Sequence, residues 1–187
     1  MIKNMIYIGL MMVLMAGFGL NAASVDFTLA DLQGQKHSLS DFSDAKAAAV
    51  IFISTRCPVS NAYNERMEAL NKKFKDKGIV FLGINSNNTE TVDDAIAHAK
   101  ENGLTFTILK DPGNKVADQL KASFTPEVYV FDGKRELLYH GRIDDSRRGD
   151  NITSPDLQNA LDSILAGKPV AVKETKAFGC TIKRVSQ

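Results

Sequence analysis

Apolar positions recur along the chain in two rhythms. Ala47–Ile53 is an uninterrupted apolar run, and Ile79–Ile84 repeats it with only Gly83 as a small member; runs of that length predict strands buried on both faces. Thr105–Leu109 predicts a further strand. Glu127–Phe131 and Glu136–Gly141 flank Asp132-Gly133 and predict an antiparallel hairpin. Between the strands the rhythm becomes helical. From Val59 to Lys77, Tyr63, Met67, Leu70 and Phe74 recur at spacings of four, three and four while Glu65, Lys72, Lys73 and Lys75 face water, and Gly78 stops the helix. Thr89 or Thr91 caps a second helix with Val92, Ile96 and Ala99 inward, ending at Asn102-Gly103. A short helix carries Val116, Ala117 and Leu120. A last one starts at Ser154-Pro155-Asp156, turns Leu157, Leu161, Ile164 and Leu165 inward and ends at Gly167-Lys168-Pro169. Upstream, Phe27–Leu29 and His37–Leu39 around Gly34 predict an N-terminal β-hairpin. Strands alternating with helices, then a hairpin and a helix, predict an α/β fold with a mixed central sheet flanked by helices.

Both ends of the chain stand outside this pattern. Lys3, an apolar stretch from Met5 to Leu20 and the small residues Ala22-Ala23 read as a secretory signal over residues 1–23, cut after Ala22 or Ala23. Gly9, Gly17 and Gly19 interrupt the stretch, which is shorter than the roughly 20 residues of a spanning helix. The expectation is a periplasmic or secreted protein with no stable membrane anchor after cleavage. Residues 24–169 form one domain, and 170–187 are a tail without periodicity that carries Cys180.

Charge excludes some partners. With 23 basic and 22 acidic residues the net formal charge is +1, which gives no footprint for nucleic acid or an anionic membrane. His37, His98 and His140 are scattered without ligand spacing, and there is no Cys-x-x-Cys-His run, so neither a metal nor another cofactor is expected. Two cysteines in an exported chain allow one intramolecular disulfide, which an oxidising compartment lets persist.

Cys57 lies where the apolar run Ala47–Ile53 gives way to Ser54-Thr55-Arg56-Cys57-Pro58-Val59-Ser60 and a helical pattern. Pro58 suits a first helical position, which makes Cys57 the N-cap. Its sulfur then faces the unpaired N–H groups of the first turn, that of Ser60 foremost, and the positive end of the helix dipole. Both favour the nucleophilic thiolate. Ser60 could add its hydroxyl, and Arg56 and Arg142 are cations that could lower the thiol pKa further.

Cys57-Pro58-Val59-Ser60-Asn61-Ala62-Tyr63, Gly83-Ile84-Asn85-Ser86-Asn87, Phe124-Thr125-Pro126-Glu127, the run Gly141–Arg147 and Gly179-Cys180-Thr181-Ile182-Lys183, taken in order, resemble a peroxiredoxin-like (AhpC/TSA-like) group of thioredoxin-fold redoxins. The resemblance spans essentially the whole chain after the signal and implies a thioredoxin-like fold. It also implies a cis-proline at Pro126 facing the cysteine, with Thr125 free to pair with an extended substrate. The motifs depart from two familiar patterns. Ser60 stands where thioredoxins carry a second cysteine, and Val50 and Ser54 stand at the proline and threonine of the peroxiredoxin Pro-x-x-x-Thr-x-x-Cys signature. A hydroxyl three residues before the thiol is kept and the proline is lost.

Cys180 is 123 positions from Cys57 and could be an inert thiol, a structural bridge or a resolving thiol. Reach permits pairing: the 11 steps from Pro169 extend roughly 36 Å at about 3.3 Å each, against a radius of gyration of about 15 Å. The resulting expectation is an exported thiol oxidoreductase without cofactor. Cys57 is its nucleophilic or peroxidatic thiol, Cys180 its resolving partner, Ser54, Ser60 and Arg142 assist, and Thr125 and Pro126 bind substrate. Peroxide chemistry, in which Cys57 becomes a sulfenic acid that Cys180 condenses with, stands first. The alternatives are reduction of a protein disulfide, with an external thiol reductant, and a non-catalytic binding module held by a static Cys57–Cys180 bridge.

Overall fold

The computed structural model describes residues 25–185, so the signal reading at residues 1–23 lies outside the described residues. In chain order the strands are β1 Thr28–Asp31, β2 Lys36–Ser38, β3 Ala47–Ile53, β4 Ile79–Asn85, β5 Thr107–Lys110, β6 Phe124–Thr125, β7 Glu127–Phe131, β8 Leu137–Gly141 and β9 Cys180–Thr181. The helices are α1 Pro58–Asn61, α2 Asn64–Phe74, α3 Val92–Glu101, α4 Lys115–Leu120 and α5 Asp156–Leu165. Seven strands make one mixed sheet in the order β2-β1-β5-β4-β3-β7-β8, with β3, β4 and β5 parallel and the remaining pairs antiparallel. The expected N-terminal hairpin is present as β1 and β2, and it extends this sheet by pairing β1 with β5.

Strand β3 shows why the apolar runs are continuous. Ala47, Ala49, Ile51 and Ile53 point to the face covered by Met67 and Phe74 of α2 and by Leu157 and Leu161 of α5. Ala48, Val50 and Phe52 point to the other, where Val116 and Ala117 of α4 pack. Successive strand side chains alternate between faces, so a strand covered on both must be apolar throughout.

Two boundaries and one helix face differ from expectation. The long helix is divided: α1 is a single turn and the chain tightens at Ala62-Tyr63, where the Tyr63 N–H donates to the Ser60 carbonyl at 3.0 Å before α2 begins. The tightening seats the Tyr63 ring in the core, where it is 1 % exposed. In α3 the inward face is Ala95 and His98, with Val92 and Ile96 exposed instead; the Nε2 of His98 is held at 3.1 Å by both Asn61 and Asn64, and this fixes the helix's rotation. Strand β5 starts at Thr107 because Thr105 is turned to Glu68, to which its N–H and hydroxyl donate at 2.8 and 2.6 Å.

The tail lies on the domain along most of its length. Thr175 Oγ1 accepts the Arg142 N–H, and the Thr175 N–H donates to the His140 carbonyl. Beyond Cys180, Ile182 is buried and its N–H donates to the Ser123 carbonyl at 3.0 Å. Side-chain oxygens of Asn87 and Asn114 accept the N–H groups of Lys183 and Val185 at 2.7 and 2.9 Å. These bonds place β9 antiparallel to β6, a second two-stranded sheet whose register sets Thr125 opposite Cys180.

Candidate active site at the C-terminal ends of the central strands

Cys57 follows the end of β3 and is the N-cap of α1, with φ −79° and ψ 116°. The Ser60 N–H points at its sulfur at 3.3 Å, which is the contact the local sequence predicts. Since α1 is one turn and kinks before α2, the electrostatic support for a thiolate comes from that amide more than from a long helix dipole.

The loop is fixed from behind by a buried carboxylate. Ser54 Oγ accepts the Cys57 N–H at 3.0 Å and the Arg56 N–H at 3.2 Å, and donates to Glu90 Oε1 at 2.5 Å. Glu90 also accepts the Thr55 N–H at 2.8 Å and the amides of Asn85 and Asn87 at 2.6 and 3.1 Å. Burial pushes the Glu90 carboxyl up, but the donors, led by Ser54, outweigh it and hold it below its usual value. Lys110 Nζ donates to Asn85 Oδ1 at 2.6 Å and to the Asn87 carbonyl at 2.9 Å. Burial lowers its pKa, against the opposing pull of Glu90.

Facing the sulfur is a second loop. The Thr125–Pro126 peptide is cis, and the Thr125 carbonyl oxygen lies 3.4 Å from Cys57 Sγ. Glu127 holds the approach to it: its carboxylate accepts the N–H groups of Ser123 and Phe124 at 2.7 and 2.9 Å and also bonds Tyr129 Oη and His140 Nε2. Here too burial raises the carboxyl pKa and hydrogen bonds, that from His140 first, bring it below its usual value.

Cys57 and Cys180 form a disulfide, with Cα atoms 5.8 Å apart. Cys57 is 4 % exposed, whereas Cys180 keeps part of its surface in water, so the outer sulfur is Cys180. A cavity of about 280 Å³ opens beside the pair, lined among others by Arg56, Asn87, Glu90, Thr125 and Lys183.

The structure therefore brings Ser54, Ser60, Thr125, Pro126 and Cys180 to Cys57. Three of the groups expected to assist are engaged elsewhere. The Ser60 hydroxyl does not face the sulfur, because it accepts the Ser54 N–H at 3.1 Å. Arg142 is not at the cysteines: its Nε pairs with Asp156 at 2.6 Å. Arg56 is close in sequence but exposed and paired with Asp94 at 3.2 Å. Tyr139 closes the neighbourhood of Arg142 by donating to its carbonyl at 2.6 Å, and burial lifts the Tyr139 phenol to about 12.

Residues that sequence reasoning left unassigned supply the rest. Asn87 stood in the Gly83–Asn87 motif without a role of its own, and Glu90 stood in none. The conspicuous run Gly141–Arg147 works as a brace: Asp144 bonds Arg66 Nη1 at 2.5 Å, Tyr63 Oη at 3.0 Å and the Ser146 N–H at 2.9 Å. The Arg66 guanidinium stacks 3.6 Å from the Tyr63 ring centroid, and the Tyr63 ring meets Phe178 of the tail at 6.4 Å. The sequence signals for this were the helical spacing of Tyr63 and the motif Gly141–Arg147 itself, and neither shows that the two are paired. Among the described residues no group of three or more His, Cys, Asp or Glu could hold a metal ion, and no helix is long and apolar enough to cross a membrane.

The family model described as the AhpC/TSA family matches residues 20–140. Among curated proteins, thiol-disulfide oxidoreductase ResA of Halalkalibacterium halodurans is 30 % identical over 115 residues, 62 % of this chain and 64 % of that protein's length. Chloroplastic peroxiredoxin Q of Sedum lineare is 29 % identical over 126 residues, 63 % of this chain and 66 % of its own. The chain thus spans just under two thirds of these two relatives. Among solved structures, a hypothetical protein of Sinorhizobium meliloti 1021 superposes with a TM-score of 0.82 at 34 % identity, covering 88 % of this chain and 93 % of that one. The fold is thioredoxin-like.

Proposed function

Because the chain belongs to the AhpC/TSA family, we propose that it is a thiol-dependent oxidoreductase that exchanges disulfides with proteins, with Cys57 as nucleophile and Cys180 as resolving thiol. One observation carries the reading. A cysteine-bearing strand is paired with Thr125, beside a cis-proline, and bonded through its sulfur to the N-cap cysteine, which is the geometry an exchange intermediate with a polypeptide would have.

The chemistry balances with these residues alone. The Cys57 thiolate, facing the Ser60 amide, attacks one sulfur of a partner disulfide. A mixed disulfide forms and the partner's other sulfur leaves as thiolate. Cys180 then attacks Cys57 Sγ, the Cys57–Cys180 bond forms, and the partner's second thiolate departs. The partner is reduced by two electrons and the chain oxidised by two, so an external thiol reductant must restore it. Peroxide chemistry is less well served, since the Ser54 hydroxyl donates to Glu90 and its oxygen accepts the Cys57 and Arg56 N–H groups, so it is not free to donate to a peroxide oxygen. Reading residues 1–23 as a leader supports an exchange outside the cytoplasm, where a disulfide persists.

Stopped-flow and intact-mass measurements on the reduced protein test the reading. Oxidation by a disulfide-bonded protein substrate should be at least about tenfold faster than oxidation by an equal concentration of hydrogen peroxide, with loss of two hydrogens in each case. Faster consumption of peroxide would establish a peroxidase instead. A bridge that opens to ordinary reductants only on unfolding would leave a binding module.

A further inference from the structure

Cys57 is nearly buried, and the strand that carries Cys180 lies over it. The tail lays Gly179, Cys180 and Thr181 along β6, with Thr125 opposite Cys180 and Phe124 opposite Thr181. A partner polypeptide that pairs with Thr125 to present its disulfide to Cys57 must take the place of this strand.

The groove reads three positions around the cysteine. Two residues before it, Phe178 rests on the Tyr63 ring, with the Arg147 guanidinium 5.3 Å from its own ring centroid. The floor beneath is rigid, because Arg66 and Asp144 lock Tyr63 in place. Immediately before the cysteine, Gly179 has φ +159°, and a Cβ there would collide with the Thr125 carbonyl oxygen, which is backbone and cannot yield. Two residues after it, Ile182 is 3 % exposed and belongs to the core cluster that holds Val116, Ala117 and Ala122.

We propose that this groove is the partner-binding surface of the exchange reaction and selects an extended cysteine-bearing strand of the pattern aromatic-glycine-cysteine-any-aliphatic, with the protein's own tail acting as a tethered competitor. The inference rests on the exchange reading above and adds what the site recognises. It follows from strand addition as a recognition mode: main-chain pairing gives affinity, and pockets for individual side chains give selectivity. A tethered occupant has an effective concentration on the order of millimolar, so only partners that fill the same pockets displace it readily.

The test uses full-length C180S, in which the tail remains but cannot bond to Cys57, and peptides copying residues 176–183 whose cysteine carries thionitrobenzoate. Cys57 attacks the peptide sulfur, a Cys57–peptide disulfide forms and thionitrobenzoate leaves; intact mass identifies the adduct and absorbance gives the rate. The native peptide should react about tenfold faster than the Gly179→Val peptide, and about fivefold faster than the Phe178→Ala or Ile182→Ala peptides. Replacing Phe178 by Ala in the C180S protein itself should speed capture of every peptide severalfold, because the competitor is weakened. The reduced wild-type chain provides the same ranking from its initial rates should C180S fold poorly. Equal rates for all peptides, with fast adduct formation, would overturn the groove's selectivity and keep the exchange reading. No adduct with any peptide from a folded, reduced protein would overturn both.

Discussion

Glu90 is the residue whose replacement discriminates most sharply between a site held by chemistry and one held by packing alone. In Glu90→Gln the amide oxygen can keep the Oε2 position and go on accepting from the Thr55 N–H and Asn85. The amide nitrogen then falls at the Oε1 position, where Ser54 Oγ and Asn87 Nδ2 both present donors. Ser54 can rotate its proton away, although its oxygen already serves two N–H groups. Asn87 cannot flip, since its Oδ1 accepts the Lys183 N–H at 2.7 Å. One buried donor is left without an acceptor, at about 1–3 kcal/mol, and the surviving bonds lose charge assistance worth about 0.5–1 kcal/mol each. Relief from burying a carboxylate offsets part of this. The net expected loss is about 2–3 kcal/mol for the oxidised protein at pH 7. With a slope of about 2 kcal/mol/M for a domain of this size, the urea midpoint falls by about 1–1.5 M. The acid limb gives the second signature. The folded-state pKa of Glu90 is depressed, so its contribution is fully present above the unfolded value near 4.5 and is lost as pH falls through the folded pKa. Wild type and E90Q should therefore converge in strongly acidic solution. A difference below about 0.5 kcal/mol at pH 7 would refute the network as drawn.

Ser60→Ala should cost about 1–2 kcal/mol, because the buried Ser54 N–H loses its acceptor, yet leave the alkylation rate of reduced Cys57 within about twofold, since the backbone amide and not the hydroxyl faces the sulfur; a tenfold slower alkylation would return the hydroxyl to the chemistry. Arg142→Ala should lower stability by about 1–3 kcal/mol by stranding Asp156, while disulfide exchange per folded molecule changes by less than about twofold; a large loss of exchange would place Arg142 at the site after all. Glu127→Gln removes the second depressed carboxylate, so thermal melts of that variant between pH 5 and pH 3, roughly, should show a shallower acid decline than wild type. An unchanged slope would show that Glu127 does not carry the acid dependence.

Much of the scaffold was legible from periodicity. Ala47–Ile53 and Ile79–Ile84 announce a doubly covered sheet, and burial of alternate residues on opposite faces of β3 is the physical reason they read so clearly. Cys57 as N-cap was equally readable, because Pro58 and the strand-to-helix transition are local signals. What failed was non-local. Val92 and Ile96 are apolar at helical spacing, yet His98 is drawn inward by two asparagines and rotates them into solvent. Arg142 was a candidate by sign of charge, but Asp156 from another element claims it. Glu90 carried no pattern at all: its role depends on donors from Ser54, Thr55 and Asn85, which only the folded chain brings around it. The tail is the clearest case, since its order comes from Asn87, Asn114, Ser123 and Thr125 and from nothing periodic in its own sequence.

That same tail ties the loop behind Cys57 to the strand in front of it. Asn87 donates its amide N–H to Glu90, which anchors Ser54 and so the Cys57 N–H, and its oxygen accepts the N–H of Lys183, three residues beyond Cys180. The two segments are thus joined twice: once covalently through the sulfurs, and once through the Asn87 side chain, which also donates to the buried Glu90 carboxylate. Breaking the covalent link leaves the second in place, along with the bonds from Ile182 and Val185. In the proposed exchange, these bonds keep Cys180 close to Cys57 after reduction, and an incoming strand competing for Ser123, Thr125 and the Phe178 and Ile182 pockets lifts it. On that proposal, a cysteine on a docked strand is both the guard of the nucleophile and the group that completes its reaction. Which role operates is decided by how well a partner's sequence fits the groove.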